Sequence, residues 1–181
     1  MPLTNPWLSE PMPANRLPRQ RLDERILNLL SSQNMCVLAT TGSEGPLATP
    51  VRYYSLDFAV MFTAAPRSPK LRNIAADPRV SVGLFAPLVG LASSRGTQLF
   101  GEARVLPPEH PERDHYWDAF RWENEHAERS LPLTEPPSDT LVVIEPNRIV
   151  YTEHWLRREG FAARQFWKRP PPGKPSEETA N

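Results

Sequence analysis

The sequence predicts one mainly β domain with flanking helices, of the α+β class, in which six short antiparallel strands close into a small barrel. Segments with strand character follow one another across short turns, and this favours antiparallel pairs because a parallel pair needs a long crossover. The helical segments do not alternate regularly with the strands, which argues against a doubly wound parallel sheet. The length of 181 residues suits one domain with tails.

An extended arm and an amphipathic helix are predicted to precede the strands. Residues 1–17 contain four prolines, so we expect an extended arm there. From residue 18 to about residue 33 the pattern is helical, and Pro18 suits a first helical turn. The apolar residues of this segment recur at helical spacing: Leu22, Ile26, Leu29 and Leu30.

Six strand segments are predicted, at residues 35–41, 46–56, 58–64, 79–86, 97–106 and 140–155. Glycines in the turn at 42–45 and Asp57 before the third strand indicate tight connections. A short helix at 66–77, which Pro78 ends, and a charged surface helix at about 109–129 complete the domain at 18–160. The remaining residues, 161–181, are rich in proline and polar residues and are predicted to be a largely disordered tail.

Composition excludes several classes of protein. Lys and Arg total 21, as do Asp and Glu, and a net charge of zero argues against a protein that coats nucleic acid. No window approaches the ~20 apolar residues of a membrane span, and the N-terminus lacks a signal-peptide pattern, so we expect a cytoplasmic protein. Cys36 is the single cysteine, which excludes an intramolecular disulfide and a Cys-based zinc site; we interpret it as a core residue. The histidines are interpreted as solvated, and no metal site is predicted.

Positive charge is concentrated where the second helix is predicted to begin, in the stretch "PRSPKLRN". Ser68 is a favoured N-cap residue, Arg67 precedes it, and Lys70 and Arg72 lie in the first turn. Cations are unfavourable at a helix N-terminus, which is already partly positive, so an anion is expected to compensate. The alternative is a solvated turn whose charges pair with nearby acids such as Asp77.

Residues from about 35 to 106 resemble the pyridoxamine 5′-phosphate oxidase-like proteins, which bind flavin on a split β-barrel. The resemblance depends on "CVLATTGSEGPLATPVRYYSLD", "VMFTAAPRSPKLRNIAADPRVSVGLF" and "QLFGEARVL". Its main motif is an aromatic-Thr pair, then Ser-x-Lys, then a short helix that closes in Asp-Pro-Arg-Val-Ser. The resemblance implies an FMN-binding oxidoreductase that acts on a small molecule, and a homodimer with each flavin at the interface.

The resemblance also implies which residues contact the cofactor. The positions are Thr49, Pro50, Val51, Phe62, Thr63, Arg67, Ser68, Lys70 and Gln98. Lys70 would contact the FMN phosphate, assisted by Ser68 and Arg67. Phe62 and Thr63, the aromatic-Thr pair, would lie along the ribityl chain and the phosphate. The backbone of Thr49, Pro50 and Val51 on the second strand would face the flavin ring. Gln98 lies near the position of a glutamine that is typical of the family. In the dimer, the N-terminal arm or Trp155 would contact the partner's cofactor.

Three departures separate the chain from the vitamin B6 oxidase itself. Pro69 occupies the place of a basic residue before the lysine, and Thr49 that of another on the second strand. The C-terminal Arg-x-His signature is absent from residues 142–160. We therefore do not expect vitamin B6 oxidation, and we assign no catalytic residue. Three alternatives stay open: a reductase that uses a deazaflavin cofactor, a non-catalytic module that binds flavin or haem, and a purely structural dimer.

Overall fold

Antiparallel strands make up most of the computed structural model, which describes residues 12–88, 94–117, 119 and 139–171. The helices are α1 (Arg19–Ser32), α2 (Pro69–Ala76) and a 3-10 helix (His154–Glu159), and residues 113–117 are also helical. The strands are β1 (Met35–Gly42), β2 (Gly45–Arg52), β3 (Tyr54–Leu56), β4 (Ala59–Ala64), β5 (Arg79–Phe85), β6 (Arg95–Leu106), β7 (Thr140–Glu153) and β8 (Arg164–Lys168). None of the helices in these ranges has the length and hydropathy that a bilayer crossing requires.

All named strands belong to one curled sheet. Its order is β2-β1-β5-β6-β7-β4-β3, with β8 against β7, and every strand pair is antiparallel. Because β2 and β3 are consecutive in the chain yet stand at opposite ends of this order, the sheet must curl back on itself. The predicted α+β class and antiparallel barrel are confirmed, as a half-barrel, but the sheet has eight strands where six were predicted.

One of the additional strands arises because the predicted strand at 46–56 changes partner at Tyr53. Before it β2 pairs with β1, and after it β3 pairs with β4. Tyr53 is buried, its backbone N–H donates to Asn34 O at 2.9 Å, and its hydroxyl donates to Leu30 O at 2.6 Å. These bonds fix the change of partner against the end of α1.

The other additional strand is β8, which lies in the segment predicted as a disordered tail. It pairs with the second half of β7, and Trp167 from β8 is 2% exposed and belongs to the main core. The predicted domain boundary at residue 160 therefore falls before the last strand of the domain.

The main core fills the concave side of the sheet, and α1 packs into it. The four predicted apolar residues of α1 are all buried there. Cys36 is also buried, and burial raises the pKa of its thiol to about 12. The interpretation of this cysteine as a core residue is confirmed.

The two ends of the described chain are tied together by Gln165. Its Oε1 accepts a hydrogen bond from Leu17 N at 3.0 Å, and its Nε2 donates to Ala162 O at 2.6 Å. Leu17 is buried, so the last part of the predicted N-terminal arm docks onto the domain. Residues 1–11 lie outside the described residues, as does most of the predicted helix at 109–129.

Candidate functional site

The basic turn, residues 67–72, connects β4 to α2. Ser68 is the N-cap of α2 with an extended backbone, and Pro69 is the first helical residue, where its missing N–H does no harm. Asn73 on α2 donates to Thr40 Oγ1 on β1 at 3.1 Å. A Cβ on Gly42 would lie 2.1 Å from Asn73 Oδ1, so this close approach favours glycine. The sheet therefore holds α2, and with it the basic turn, in a defined position.

The cations of the basic turn have no acidic partner in the described ranges. Arg67 and Arg72 are exposed, Lys70 is half-buried, and none forms an ion pair with a described residue. Asp77, the acid that could have neutralised them, instead accepts hydrogen bonds from Arg79, which lowers the pKa of its carboxyl to about 2. The alternative in which Asp77 neutralises the turn is therefore wrong.

Ser68 adds a second sign of an anion site. Its Oγ is buried and has no hydrogen-bond partner among the residues that the structure describes, and it does not cap its own helix. A buried hydroxyl without a partner costs about 1–3 kcal/mol. A phosphate oxygen would accept its proton and would also meet the positive end of the helix dipole. The residues of the basic turn therefore fit the phosphate of a flavin nucleotide.

The strand predicted to face the flavin ring is an edge strand. β2 pairs with β1 on one side only, so half of its backbone N–H and C=O groups point away from the sheet. Pro50 is compatible with this position because a proline without an N–H is tolerated at an edge. Val51 is buried, so only its backbone is available, whereas Thr49 is half-buried.

The aromatic-Thr pair lies at the end of β4, next to the basic turn. Thr63 is half-buried. The Phe62 side chain is 1% exposed and packs in the main core, so it offers a ligand only its backbone.

Gln98 lies on a different part of the molecule, the convex outer face of the sheet. The pairing register aligns it with Gly83, Val37 and Pro50 on one side and with Val150 on the other. Thr63 instead aligns through Leu141 with Leu106, at the opposite end of β6 from Gln98. Strand pairing within one chain therefore does not bring Gln98 to the basic turn, and the predicted site falls into two parts.

A groove of about 360 Å³ crosses the outer face around Gln98. It is lined by Val37, Gly83, Leu84, Phe85, Ser94, Arg95, Gly96, Thr97, Gln98, Val150, Thr152 and Arg164. A Cβ on Gly83 would have no neighbour nearer than Val37 O at 4.0 Å, so this glycine leaves space above the sheet. Sequence reasoning missed the groove, although an isolated glycine inside a strand is a signal of close approach.

Large apolar side chains are exposed beside the groove. They include Met35, Val37, Phe85 and Phe166. Exposed apolar side chains gathered on one face are typical of a surface that binds a ligand or another protein chain.

Comparisons with known proteins agree with this architecture. A family model described as pyridoxamine 5′-phosphate oxidase matches residues 22–153. The general stress protein 26 of Bacillus anthracis is 20% identical, with a TM-score of 0.57 over 82% of this chain and 99% of that chain. A comparison with curated protein sequences gives no match.

Two further solved structures of similar fold are described by what they bind. A heme-binding protein of Mycobacterium smegmatis is 24% identical, with a TM-score of 0.59 over 84% of this chain and 60% of that chain. A FAD-binding protein of Mesorhizobium loti is 20% identical, with a TM-score of 0.54 over 70% of this chain and 90% of that chain. At these identities the similarity concerns the fold.

Proposed function

Because the chain belongs to the pyridoxamine 5′-phosphate oxidase family, we propose that it is an FMN-binding oxidoreductase that passes hydride or electrons between the flavin and a small substrate. The observation that carries the proposal is the basic turn, where neither the buried Ser68 hydroxyl nor the cations have a hydrogen-bond or acidic partner among the described residues. An FMN phosphate would accept a hydrogen bond from the Ser68 hydroxyl and would neutralise the cations. The departures at Thr49 and Pro69 and the missing Arg-x-His signature argue against vitamin B6 oxidation as the reaction.

In this proposal the two ends of FMN are held by different elements. Lys70, Ser68 and Arg67 bind the phosphate, and Thr63 at the end of β4 lies beside the ribityl chain. The unpaired backbone edge of β2 orients the polar edge of the flavin ring. When bound, the flavin supplies the hydride and electron transfer, so the protein needs only to position and shield it.

We propose further that the protein is a homodimer whose second copy completes the site. The register leaves the basic turn and the groove apart within one chain. The exposed apolar residues of the outer face give a second copy a surface to cover. Packing the outer face of one copy near the basic turn of the other would place one flavin in contact with both.

A matched pair of variants tests the dimer. Val37 on the outer face is 36% exposed, and Gln20, on the helix α1 that packs on the other side of the sheet, is also exposed. We expect Val37→Arg to convert the dimer to a monomer in sedimentation velocity, while Gln20→Arg leaves it intact. A wild-type monomer, or a Val37→Arg protein that still dimerises, would contradict the proposed interface.

Titration of three cofactors tests the reaction class. We expect FMN to bind more tightly than a deazaflavin cofactor or haemin, and the bound FMN to be reduced by a nicotinamide donor and reoxidised by an acceptor. Tighter binding of haemin would favour a haem-binding module, the description carried by the similar protein of Mycobacterium smegmatis. Bound FMN that no donor reduces would favour a non-catalytic flavin module.

A further inference from the structure

We propose that the outer-face groove binds a substrate that carries a carboxylate or a phosphate group, and that Arg164 binds this group. The inference rests on the proposed function, because it assigns the substrate of the flavin site. It adds the chemical class of the substrate and a residue that determines specificity.

Arg164 reaches the groove from β8. It pairs in register with Thr152 on β7, which pairs in turn with Gly96 on β6. Along β8, exposed and buried residues alternate, so Arg164 lies on the outer face and Gln165 points into the domain. Its guanidinium is therefore presented at the end of the groove that Thr152 and Gly96 define.

Nothing in the described part of the chain neutralises this arginine. Arg164 forms no ion pair, cation–π contact or side-chain hydrogen bond with any described residue. None of the described residues that line the groove is acidic. An arginine in a concave site without a counter-ion is placed to bind an anion from outside.

The nearest acid along β7 is already engaged elsewhere. Glu153 is buried, and its Oε2 accepts hydrogen bonds from Arg25 Nη1 and from the Tyr151 hydroxyl, both at 2.7 Å. The other arginine of the groove, Arg95, donates to Asn28 Oδ1 on α1 at 3.2 Å. Of the two groove arginines, Arg164 is therefore the one without a side-chain partner among the described residues.

The rest of the groove indicates the shape of the ligand. Val150 and Phe85 offer apolar contact, Gly83 leaves the floor open, and Gln98 offers an amide. A planar apolar body with an anionic group at one end matches this arrangement. A guanidinium binds a carboxylate or a phosphate with two parallel hydrogen bonds. With a neutral group of the same shape these hydrogen bonds are weaker, because they are no longer charge-assisted.

Two fluorinated probes of equal shape test the inference on the full-length protein loaded with FMN. We expect 4-fluorobenzoate to bind at least about tenfold more tightly than the neutral 4-fluorobenzamide, as measured by fluorine NMR titration. Arg164→Gln should lower the affinity for 4-fluorobenzoate about tenfold and leave that for the amide unchanged. Arg164→Lys should restore part of the preference for 4-fluorobenzoate over 4-fluorobenzamide.

The control is Arg148→Gln, which removes another exposed outer-face arginine, one that stacks on Phe100 outside the groove. It should leave the affinity for 4-fluorobenzoate unchanged. Equal affinities for the two probes, no binding of 4-fluorobenzoate, or full affinity in Arg164→Gln would each overturn the inference. Because Arg164 is exposed, all three variants should unfold at the wild-type temperature.

The design separates this inference from the proposed function. FMN affinity is measured independently by absorbance, and Arg164→Gln should retain it. If the wild-type protein takes up no FMN, the proposed function fails, and the same probe titrations on flavin-free protein still decide whether the groove selects anions through Arg164.

Discussion

At the scale of single residues, the groove depends on Gly83, which has no side chain to fill it. Gly83 has an ordinary extended backbone and open space where a Cβ would stand, so no feature of the fold requires glycine there. Gly96 differs, because its Cβ would lie 2.9 Å from Leu84 O. Gly83 therefore keeps the groove open, whereas Gly96 allows β6 to pack closely against β5.

The variant Gly83→Val should fill the groove without loss of stability. We expect its affinity for 4-fluorobenzoate to fall about tenfold, because overpacking a well-fitted site costs about 1–3 kcal/mol. Its urea midpoint should stay at or above the wild-type value, since valine favours strands more than glycine does. Ser81→Val, two residues away on the same face and outside the groove, is the control and should bind 4-fluorobenzoate normally. Wild-type affinity for 4-fluorobenzoate in Gly83→Val would show that this ligand does not bind in the groove.

Single residues also show how far the sequence can predict a site. The N-cap pattern at Ser68 and Pro69 and the excess of positive charge identified the basic turn, because these signals are local. The side chain of Phe62 is in the core, which alternation along one strand cannot reveal when both faces of β4 are apolar. The separation of Gln98 from the basic turn depends on the register of β4, β6 and β7, which no local pattern contains.

At the scale of elements, α2 is held at its C-terminal end by an ion pair. Asp77 is the C-cap residue, and Arg79 at the start of β5 donates to both carboxylate oxygens. The bond lowers the pKa of Asp77 from 3.8 to about 2. A carboxyl whose pKa is lower in the folded state stabilises that state above its unfolded pKa, and loses this effect as the pH falls through the folded value.

The pH dependence of Asp77→Asn should follow from this. The wild type should be more stable than the variant at pH 5 to 7, and the difference should disappear as the pH falls from about 4 to about 2. Urea midpoints of both proteins across this range measure the effect. A difference that stays constant down to pH 2 would show that the carboxylate charge does not hold the end of α2.

The strand β8 is the element that the sequence analysis missed, and it supports both the fold and the groove. Its five residues alternate between exposed and buried positions, but such a short run beside a proline-rich segment resembles a tail. The change of partner at Tyr53 was missed for a related reason, since a continuous run of strand-forming residues does not show which neighbours each half pairs with. Both features are set by long-range pairing.

The contribution of β8 can be measured with two adjacent aromatic residues. Trp167 is 2% exposed and contacts Phe58 at a ring distance of 4.7 Å, whereas Phe166 is 49% exposed. Trp167→Ala should lower the free energy of unfolding by about 3–5 kcal/mol. Phe166→Ala should lower it by less than about 1 kcal/mol. Similar losses for the two variants would contradict the assignment of β8 to the core.

At the scale of the whole molecule, the curled sheet separates two chemical surfaces. One end presents the basic turn, whose Ser68 hydroxyl has no partner in the described part of the chain, and the convex side presents an apolar groove with Arg164 at one end. The class of fold could be predicted from turns and strand alternation, since both are local. In the proposed homodimer, the outer face of one copy packs near the basic turn of the other, so that the two surfaces form one site.

The most direct test of the central claim compares FMN with riboflavin, which lacks the phosphate. Flavin fluorescence titrations should give the wild-type protein at least about tenfold higher affinity for FMN. Lys70→Ala should reduce that preference by weakening FMN binding alone, while Lys168→Ala, which removes an exposed lysine of β8, should preserve it. Equal affinity of the wild type for the two flavins, or an equal loss of both in Lys70→Ala, would contradict the assignment of the basic turn to the FMN phosphate.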